Sequence, residues 1–167
     1  MAASARKAPN ILITGTPGTG KSTLAGQVAE RTGLHHIDVG AIAKDSALYD
    51  GYDDEYDCPV IDDDRIVDEL EDKMAAGGNV VDYHGCDFFP ERWFDVVFVL
   101  RVDNTLLYDR LVARGYAGRK LADNVECEIL QTIVEEARES YASEIVHELR
   151  SDAPDDVDIN ARRTGNV

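Results

Sequence analysis

The most specific chemistry in this sequence lies in residues 15–22, which read GTPGTGKS. Glycines at fixed offsets, followed by a lysine and a hydroxyl residue, match the pattern G-x-x-x-x-G-K-[ST]. Such glycines let the backbone turn tightly with its N–H groups pointing inward, which creates a concave anion site. We therefore predict that the segment binds the phosphates of a nucleoside triphosphate. The residues assigned to this site are Gly15, Gly18, Gly20, Lys21, Ser22 and Thr23.

The side chains that end the motif have separate expected roles. Lys21 should reach the β- and γ-phosphates as a mobile positive charge, and the Ser22 hydroxyl should ligate Mg²⁺. Thr23 lies in the same helical turn and is expected to donate to the α-phosphate. The alternative is a plain glycine-rich turn, which is disfavoured because an apolar strand pattern precedes the motif and a helical pattern follows it. ATP with Mg²⁺ is the predicted ligand.

Two polar side chains of interest follow the short apolar run of Val80 and Val81. A phosphate-binding loop requires a carboxylate at the end of a neighbouring strand to position magnesium and its waters. Asp82 ends the run, and we predict that it contributes to the Mg²⁺ site, with a mere strand cap as the alternative. His84 follows two residues later and is predicted to act in catalysis or phosphate contact, unless it is a structural histidine.

Four basic residues lie close together in a chain that is otherwise acidic: Arg110, Arg114, Arg119 and Lys120. Arginines on a mobile flap over a triphosphate would stabilise charge during transfer and exclude water. Arg114 is the strongest candidate for this role, because it stands where a predicted helix ends. The alternative is a set of surface salt bridges with Asp109 or Asp123.

The elements that must position these residues alternate between strand and helix. Strands are predicted at residues 10–14, 35–39, 79–82, 96–101 and 145–149, and helices at 21–32, 65–76, 104–113 and 124–142. This order predicts an α/β three-layer fold with a parallel five-stranded sheet. Residues 40–64 and 115–123 are predicted as loops. Residues 1–9 are predicted as a disordered leader, and the chain after residue 151 as polar and loose.

Composition limits the class of protein and its partners. The 167 residues suit one domain, and no apolar run approaches the roughly 20 residues of a membrane helix. The three cysteines form no C-x-x-C pair, which argues against a disulfide framework or a thiolate zinc site. A net charge of −16 repels polyanions, so direct nucleic-acid binding is not expected. Residues 45–72 hold thirteen acidic side chains against one arginine, which indicates a solvated face or a docking surface for a basic protein.

Three stretches of the sequence resemble the adenylate kinase isoenzyme 6 family, also called coilin-interacting nuclear ATPase protein. The first is DGYDDEYDCP at residues 50–59, and the second is VDYHGCDFFPERW at residues 81–93. The third combines Arg114-Gly115-Tyr116 with Lys120, Leu121, Asp123 and Asn124. The likeness extends over residues 10–147, and the middle stretch is both long and specific.

The resemblance implies a nucleoside monophosphate kinase fold with a short lid. The kinase domain would cover residues 10–151, with a monophosphate-binding segment at 38–61, a lid at 113–123 and a polar tail at 152–167. Gly18, Gly20, Lys21, Ser22 and Thr23 would hold ATP, Arg114 would be the lid arginine, and Asp82 with His84 would form the magnesium-side motif. We expect a monomer.

The same resemblance implies an activity and a setting. Family members phosphorylate AMP and related monophosphates from ATP, and they also hydrolyse ATP. They are found in the nucleus and cytoplasm, and they act in late maturation of small-subunit ribosomal RNA by binding a small-subunit ribosomal protein. An ATP-driven assembly switch with secondary kinase activity is therefore the alternative to a kinase.

Two departures from the family pattern concern the acceptor site and the tail. Lys44 stands where the family usually has an arginine, and a lysine lacks the planar fork for bidentate phosphate contact. Lys44 and Arg92 remain the candidates for binding the monophosphate, with a simple pair between Glu91 and Arg92 as the alternative. The C-terminal stretch lacks the apolar and tryptophan-rich stripe of the family's last helix. Either the tail is a variant, or the core face that this helix would cover is exposed and available to a partner.

Overall fold

The computed structural model describes residues 8–55 and 58–165. The strands, in chain order, are β1 (Asn10–Thr14), β2 (His35–Asp38), β3 (Tyr49–Asp53), β4 (Cys58–Ile61), β5 (Asn79–Asp82), β6 (Val96–Arg101) and β7 (Val146–Arg150). The helices are α1 (Lys21–Thr32), α2 (Val39–Asp45), α3 (Asp63–Ala76), α4 (Asn104–Ala113), α5 (Gly118–Ile129), α6 (Thr132–Ser140) and α7 (Pro154–Gly165).

Five strands form one parallel sheet in the order β2-β5-β1-β6-β7. All five residues of β1 are buried, as expected for a central strand covered on both faces. Asp82 lies opposite Ile13 of β1 on one side and opposite Asp38 of β2 on the other. The predicted parallel five-stranded sheet is confirmed, and its carboxyl edge gathers the polar strand ends.

Helices cover both faces of the sheet, which completes the three layers. Alternate residues along β1 face opposite ways: Leu12 belongs to a core that includes Leu70 and Met74 of α3. Ile13 belongs to a second core that includes Leu24 of α1. A third apolar cluster packs α4 against α5 beside the site. Within the described residues, no helix is long and apolar enough to span a membrane.

The insert at residues 40–64 is more regular than the predicted loop. It contains α2, capped by the Asp38 side chain, which accepts from the Ala41 amide at 3.0 Å. It also contains the antiparallel pair β3 and β4, with Tyr49 opposite Ile61. Both of these residues are partly buried against the larger core, so packing stabilises a hairpin whose many Asp and Gly residues disguise it in the sequence.

The lid and the helix after it also differ from prediction. The expected loop at 115–123 becomes helical from Gly118, and the expected helix at 124–142 is two helices, α5 and α6. The break falls at Gln131, which has a φ of 58° in the left-handed region. After this turn, Ile133 and Val134 of α6 are buried in the larger core.

The chain after residue 151 is polar as predicted, but it is not loose over residues 154–165, because these form α7. This helix packs on α1, with Asn160 3% exposed and Ala161 fully buried. The Asn160 side chain donates to the Arg150 carbonyl at 2.6 Å, which attaches the helix to β7. Among the side chains described in this helix, Asn160 and Ala161 are the buried ones. Of the predicted leader, residues 1–7 lie outside the described part of the chain.

Candidate functional site

Residues 15–20 form the loop between β1 and α1, and two of its glycines are required by close contacts. A Cβ on Gly15 would lie 2.9 Å from the Leu100 carbonyl oxygen, which is fixed in β6. Gly18 has a φ of +92°, and a Cβ there would lie 3.0 Å from both Leu107 and Leu111 of α4. The loop is therefore pressed against β6 and α4, and its shape depends on glycine at these points.

Lys21 begins α1 and points its side chain back over the loop. Its ammonium donates to the Thr16 carbonyl at 3.3 Å. Burial lowers the pKa of Lys21 to about 8, although the Asp82 carboxylate acts in the opposite direction. Arg114 adds a second positive charge nearby, which lowers that pKa further. The ammonium thus has weak compensation in the free protein, and an anionic ligand would supply it.

Asp82 connects the loop to the next two strands. Its carboxylate is 3% exposed, and Oδ1 accepts from the Ser22 hydroxyl at 3.0 Å. Oδ2 contacts Nε2 of His36, which lies on β2. This hydrogen bond is the main cause that raises the pKa of His36. The sequence analysis missed His36; the available signal was a histidine within a short strand beside one that ends in Asp.

His84 lies on the wall of the main cleft with Lys21 and Arg114. Desolvation in the cleft lowers the pKa of His84 to about 4, and the Lys21 ammonium acts in the same direction, although the residue as a whole is exposed. The ring centre lies 4.2 Å from that of Tyr83. His84 is accordingly a neutral imidazole at neutral pH, suited to hydrogen bonding and not to pairing with phosphate as a cation.

Arg114 follows the last residue of α4 and contributes to two adjoining cavities. One is the main cleft, of about 720 Å³. The other, of about 420 Å³, lies beside Gly18, Gly20 and Thr23. Arg110 lines this second cavity as well, and it donates to the Gly18 and Ser151 carbonyls at 3.3 and 2.9 Å. Both arginines therefore lie at the second cavity, whereas only Arg114 also lines the main cleft.

The remaining basic residues of the lid pair locally. Arg119 forms an ion pair with Glu55, which follows the end of β3. Its Nε also lies 3.9 Å from Oδ2 of Asp123. The Lys120 ammonium lies 4.5 Å from the centre of the Tyr116 ring. These contacts join the lid to the β3–β4 hairpin, and they match in part the surface pairing that the sequence left open.

The far side of the main cleft, which we call the acceptor side, is formed by the hairpin and α3. Its lining residues are Tyr49, Pro59, Ile61 and Asp63. Neither predicted monophosphate residue is among the described residues that line it. Lys44 is exposed on α2, and Arg92 pairs with Glu71 of α3. Trp93 donates to the same carboxylate at 2.6 Å, so Arg92 stabilises the packing of α3.

The Ser22 hydroxyl and the Asp82 carboxylate are hard oxygen donors within 3.0 Å of each other. Mg²⁺ prefers such ligands, and it usually takes one or two from the protein and the rest from water and phosphate. No cluster of three or more His, Cys, Asp or Glu residues suited to a metal occurs in the ranges described. The pair fits a magnesium ion that arrives with a nucleotide. The ligand and catalytic roles of all these residues stay predictions.

A glycine loop between strand and helix, a lysine over it and a carboxylate on the adjacent strand define a P-loop protein of the kinase type. A family model described as an AAA domain matches residues 11–131. The solved structure of a shikimate kinase from Acinetobacter baumannii in complex with shikimate superposes with a TM-score of 0.66 at 15% identity, covering 98% of this chain and 95% of that one. That similarity confirms the fold.

Curated relatives identify the family more closely. An adenylate kinase isoenzyme 6 homolog from Drosophila melanogaster is 53% identical over 95% of this chain and 90% of its own length. One from Dictyostelium discoideum is 53% identical over 93% and 89%. The chain belongs to the adenylate kinase isoenzyme 6 family, as the three stretches predicted. Fold and family together support a nucleotide kinase or phosphotransferase.

Proposed function

We propose that the protein is a nucleoside monophosphate kinase that converts ATP and AMP, or a related monophosphate, into two diphosphates. The observation that carries the proposal is one continuous cleft of about 720 Å³, which runs from Lys21, His84 and Arg114 to the acceptor side. A cleft of this size has room for a ligand beyond the triphosphate. The two cavities joined at Arg114 support a donor and an acceptor that meet at that residue.

The transfer requires little covalent help from the protein. The bond between the γ-phosphorus and the bridging oxygen of ATP breaks as a phosphate oxygen of the monophosphate bonds to that phosphorus, which leaves ADP on each side. The acceptor is already an anion, so no general base is needed. The loop amides and Lys21 stabilise the charge on the phosphates, Arg114 stabilises the charge at the transferred group, and neutral His84 donates or accepts a hydrogen bond.

Mg²⁺ is the proposed cofactor, and Ser22 and Asp82 would hold it. When bound with ATP, the ion would neutralise phosphate charge and fix the orientation of the triphosphate. The Ser22–Asp82 hydrogen bond supports this role, because it keeps both oxygens at the same edge of the sheet before any ligand arrives.

A second candidate is an ATP-hydrolysing assembly switch. It is favoured by the acceptor side, where Asp63 contributes a carboxylate and where the expected Lys44 and Arg92 do not contribute. A weakly held acceptor would leave room for water as the nucleophile. In this version, the acidic surface of residues 45–72 would bind a basic small-subunit ribosomal protein during ribosomal RNA maturation, in the nucleus and cytoplasm. A monomer without direct nucleic-acid contact fits both candidates.

The two candidates differ in their use of AMP. The experiment measures ADP formed from ATP and Mg²⁺, first alone and then with AMP, in wild type and in Lys21→Ala. The kinase predicts strong stimulation by AMP with two ADP per ATP consumed. ADP formation that is unchanged by AMP would overturn the kinase in favour of the switch. Production that persists in a folded Lys21→Ala protein would remove support from both candidates, because both require Lys21 at the phosphates.

A further inference from the structure

Glu128 is a buried carboxylate that the proposed reaction does not use. It lies next to the last residue of α5 and is 4% exposed. Burying a carboxylate is unfavourable unless donors surround it. Here Oε2 accepts from the Arg101 Nε at 2.8 Å and from the Val102 amide at 3.1 Å. These two donors fix one oxygen at the end of β6 and leave the other, Oε1, free to act elsewhere.

Oε1 is directed to the phosphate-binding loop. It accepts from the Thr16 hydroxyl at 2.9 Å, and Thr16 is itself fully buried. The carbonyl of the same residue accepts from the Lys21 ammonium at 3.3 Å and from the Thr19 hydroxyl at 2.8 Å. Only one residue therefore separates the Glu128 carboxylate from the lysine that is predicted to bind the triphosphate.

The same carboxylate also joins the loop to a wall of the cleft. The first half of α5 contributes Lys120, Asp123 and Asn124 to the main cleft, whereas its last turn carries Glu128. Arg101 donates to the Glu128 carbonyl at 3.2 Å as well, so that the end of α5 is held at both its backbone and its side chain. Loop, strand and lid helix thus meet at one buried ionic contact.

We propose that Glu128 is a positioning residue for nucleotide binding: through the Thr16 hydroxyl it fixes the loop, and the carbonyl that faces Lys21, in the conformation that accepts phosphate. The proposal rests on the proposed function, because it assumes that the loop binds a nucleotide. A loop that is fixed before binding loses less conformational freedom when the ligand arrives, and so it binds more tightly. A purely structural contact would change stability and leave affinity alone.

Thr16→Val is the decisive variant, since it deletes the hydroxyl and keeps the shape of the side chain. We expect the dissociation constant for a magnesium-loaded, non-hydrolysable ATP analogue to rise about tenfold, or about 1.4 kcal/mol. Thr16→Ser keeps the hydroxyl and should restore affinity. Calorimetry gives the dissociation constant, and a thermal melt of the same sample gives Tm.

Two controls separate the loop contact from other effects of the change. Cys127→Ala removes the thiol that lies 4.0 Å from the same Thr16 hydroxyl, and it should leave the affinity unchanged. Thr32→Val deletes a hydroxyl at the far end of α1, where it donates to the Val28 carbonyl at 2.7 Å. That variant lowers Tm but should bind the analogue as wild type does.

Glu128→Gln tests the other partner of the contact. The amide oxygen can still accept from Arg101 and Val102, which turns the NH2 group toward Thr16, so the Thr16 hydroxyl must accept where it now donates. The contact is kept with its direction reversed and the Arg101 charge is no longer balanced, so an intermediate loss of affinity is expected. In the double variant with Thr16→Val, the loss of binding free energy should be smaller than the sum of the two single-variant losses, because both changes act through one hydrogen bond. If Glu128→Gln does not fold, the Thr16 series decides alone.

The outcomes distinguish the two levels of the proposal. Absence of binding in wild type would overturn the proposed function itself. Binding in wild type with an equal dissociation constant in Thr16→Val would overturn the positioning role of Glu128 and leave the function standing. A lower Tm with unchanged affinity would assign the contact to stability alone, and it would count against the proposal as well.

Discussion

The Lys21 ammonium donates to the Thr16 carbonyl in the free protein, where burial lowers its pKa to about 8. Lys21→Ala should reduce nucleotide turnover at least about 100-fold, because one preorganised charge at the phosphates is lost. Tm should change little, since burial already disfavours the charged lysine in the folded state.

Turnover with AMP and a thermal melt check both statements. Lys73→Ala is the matched control, because Lys73 is an exposed lysine in α3, outside the site. A folded, active Lys21→Ala protein would remove the basis of the assignment.

His36 makes a pH-dependent contribution to stability through Asp82. The Asp82 hydrogen bond raises the pKa of His36 above its ordinary 6.5. The folded state therefore binds the proton more tightly than the unfolded state does. The resulting stabilisation is complete below about pH 6.5 and declines as pH rises through the raised value. Metal-free wild type should show a larger Tm advantage over His36→Asn at pH 6 than at pH 9.

Melts in a chelating buffer across this range measure the difference, with about 2–4 °C expected for each kcal/mol. His35→Asn, on the exposed neighbouring position, is the control. Parallel curves for wild type and His36→Asn would show that the pair adds no pH-dependent stability.

At the scale of elements, the break between α5 and α6 predicts how a glycine at residue 131 changes stability. The sign of that change distinguishes two separate helices from one continuous helix. Gln131 has a φ of 58°, which is unfavourable for a residue with a Cβ by roughly 1–2 kcal/mol. Gln131→Gly should therefore stabilise the protein or leave it unchanged. In the single long helix that the sequence indicated for residues 124–142, the same change would cost about 1 kcal/mol.

Denaturant unfolding gives the free energy for each variant. Glu126→Gly, at an exposed position within α5, should destabilise by about 1 kcal/mol and serves as the comparison. Equal losses at both positions would show that residue 131 is helical.

Local signals explain which parts of the site were predictable. Lys21 and Ser22 follow from a motif whose geometry is set within eight residues, and Asp82 follows from the end of an apolar strand. The contacts of His36 with Asp82 and of Glu128 with Thr16 join residues 46 and 112 positions apart. No periodicity in one sequence records which distant side chains meet, and so these partners emerged only from the structure.

Packing explains the elements that were missed. The hairpin of β3 and β4 and helix α7 are rich in Asp, which is typical of loops. Among the described side chains, Tyr49 and Ile61 of the hairpin are partly buried against the core, and Asn160 and Ala161 of α7 are buried. Tertiary contact outweighs local propensity there, because the rest of the sheet is already in place to receive them.

At the scale of the whole molecule, charge repulsion opposes folding. The net charge is −16, and thirteen of the acidic residues fall within residues 45–72, of which Asp63 lines the main cleft. Ion pairs such as Arg119 with Glu55 offset only part of this field, since they are exposed and screened. Self-repulsion in the folded state is greater than in the expanded chain, so the native protein should gain from added salt.

Raising NaCl from about 0.02 to about 0.5 M shortens the Debye length from roughly 20 Å to a few Å, and it should raise Tm by several degrees. A chloride ion bound by the phosphate loop could produce the same rise, and Lys21→Ala distinguishes the two causes. If screening of the whole surface is responsible, Lys21→Ala keeps the salt dependence, whereas the exposed pair Asp68→Asn and Glu69→Gln reduces it. If the salt dependence of Tm disappears in Lys21→Ala, its cause is anion binding at the phosphate loop. Repulsion among the acidic surface residues would then destabilise the folded state only slightly.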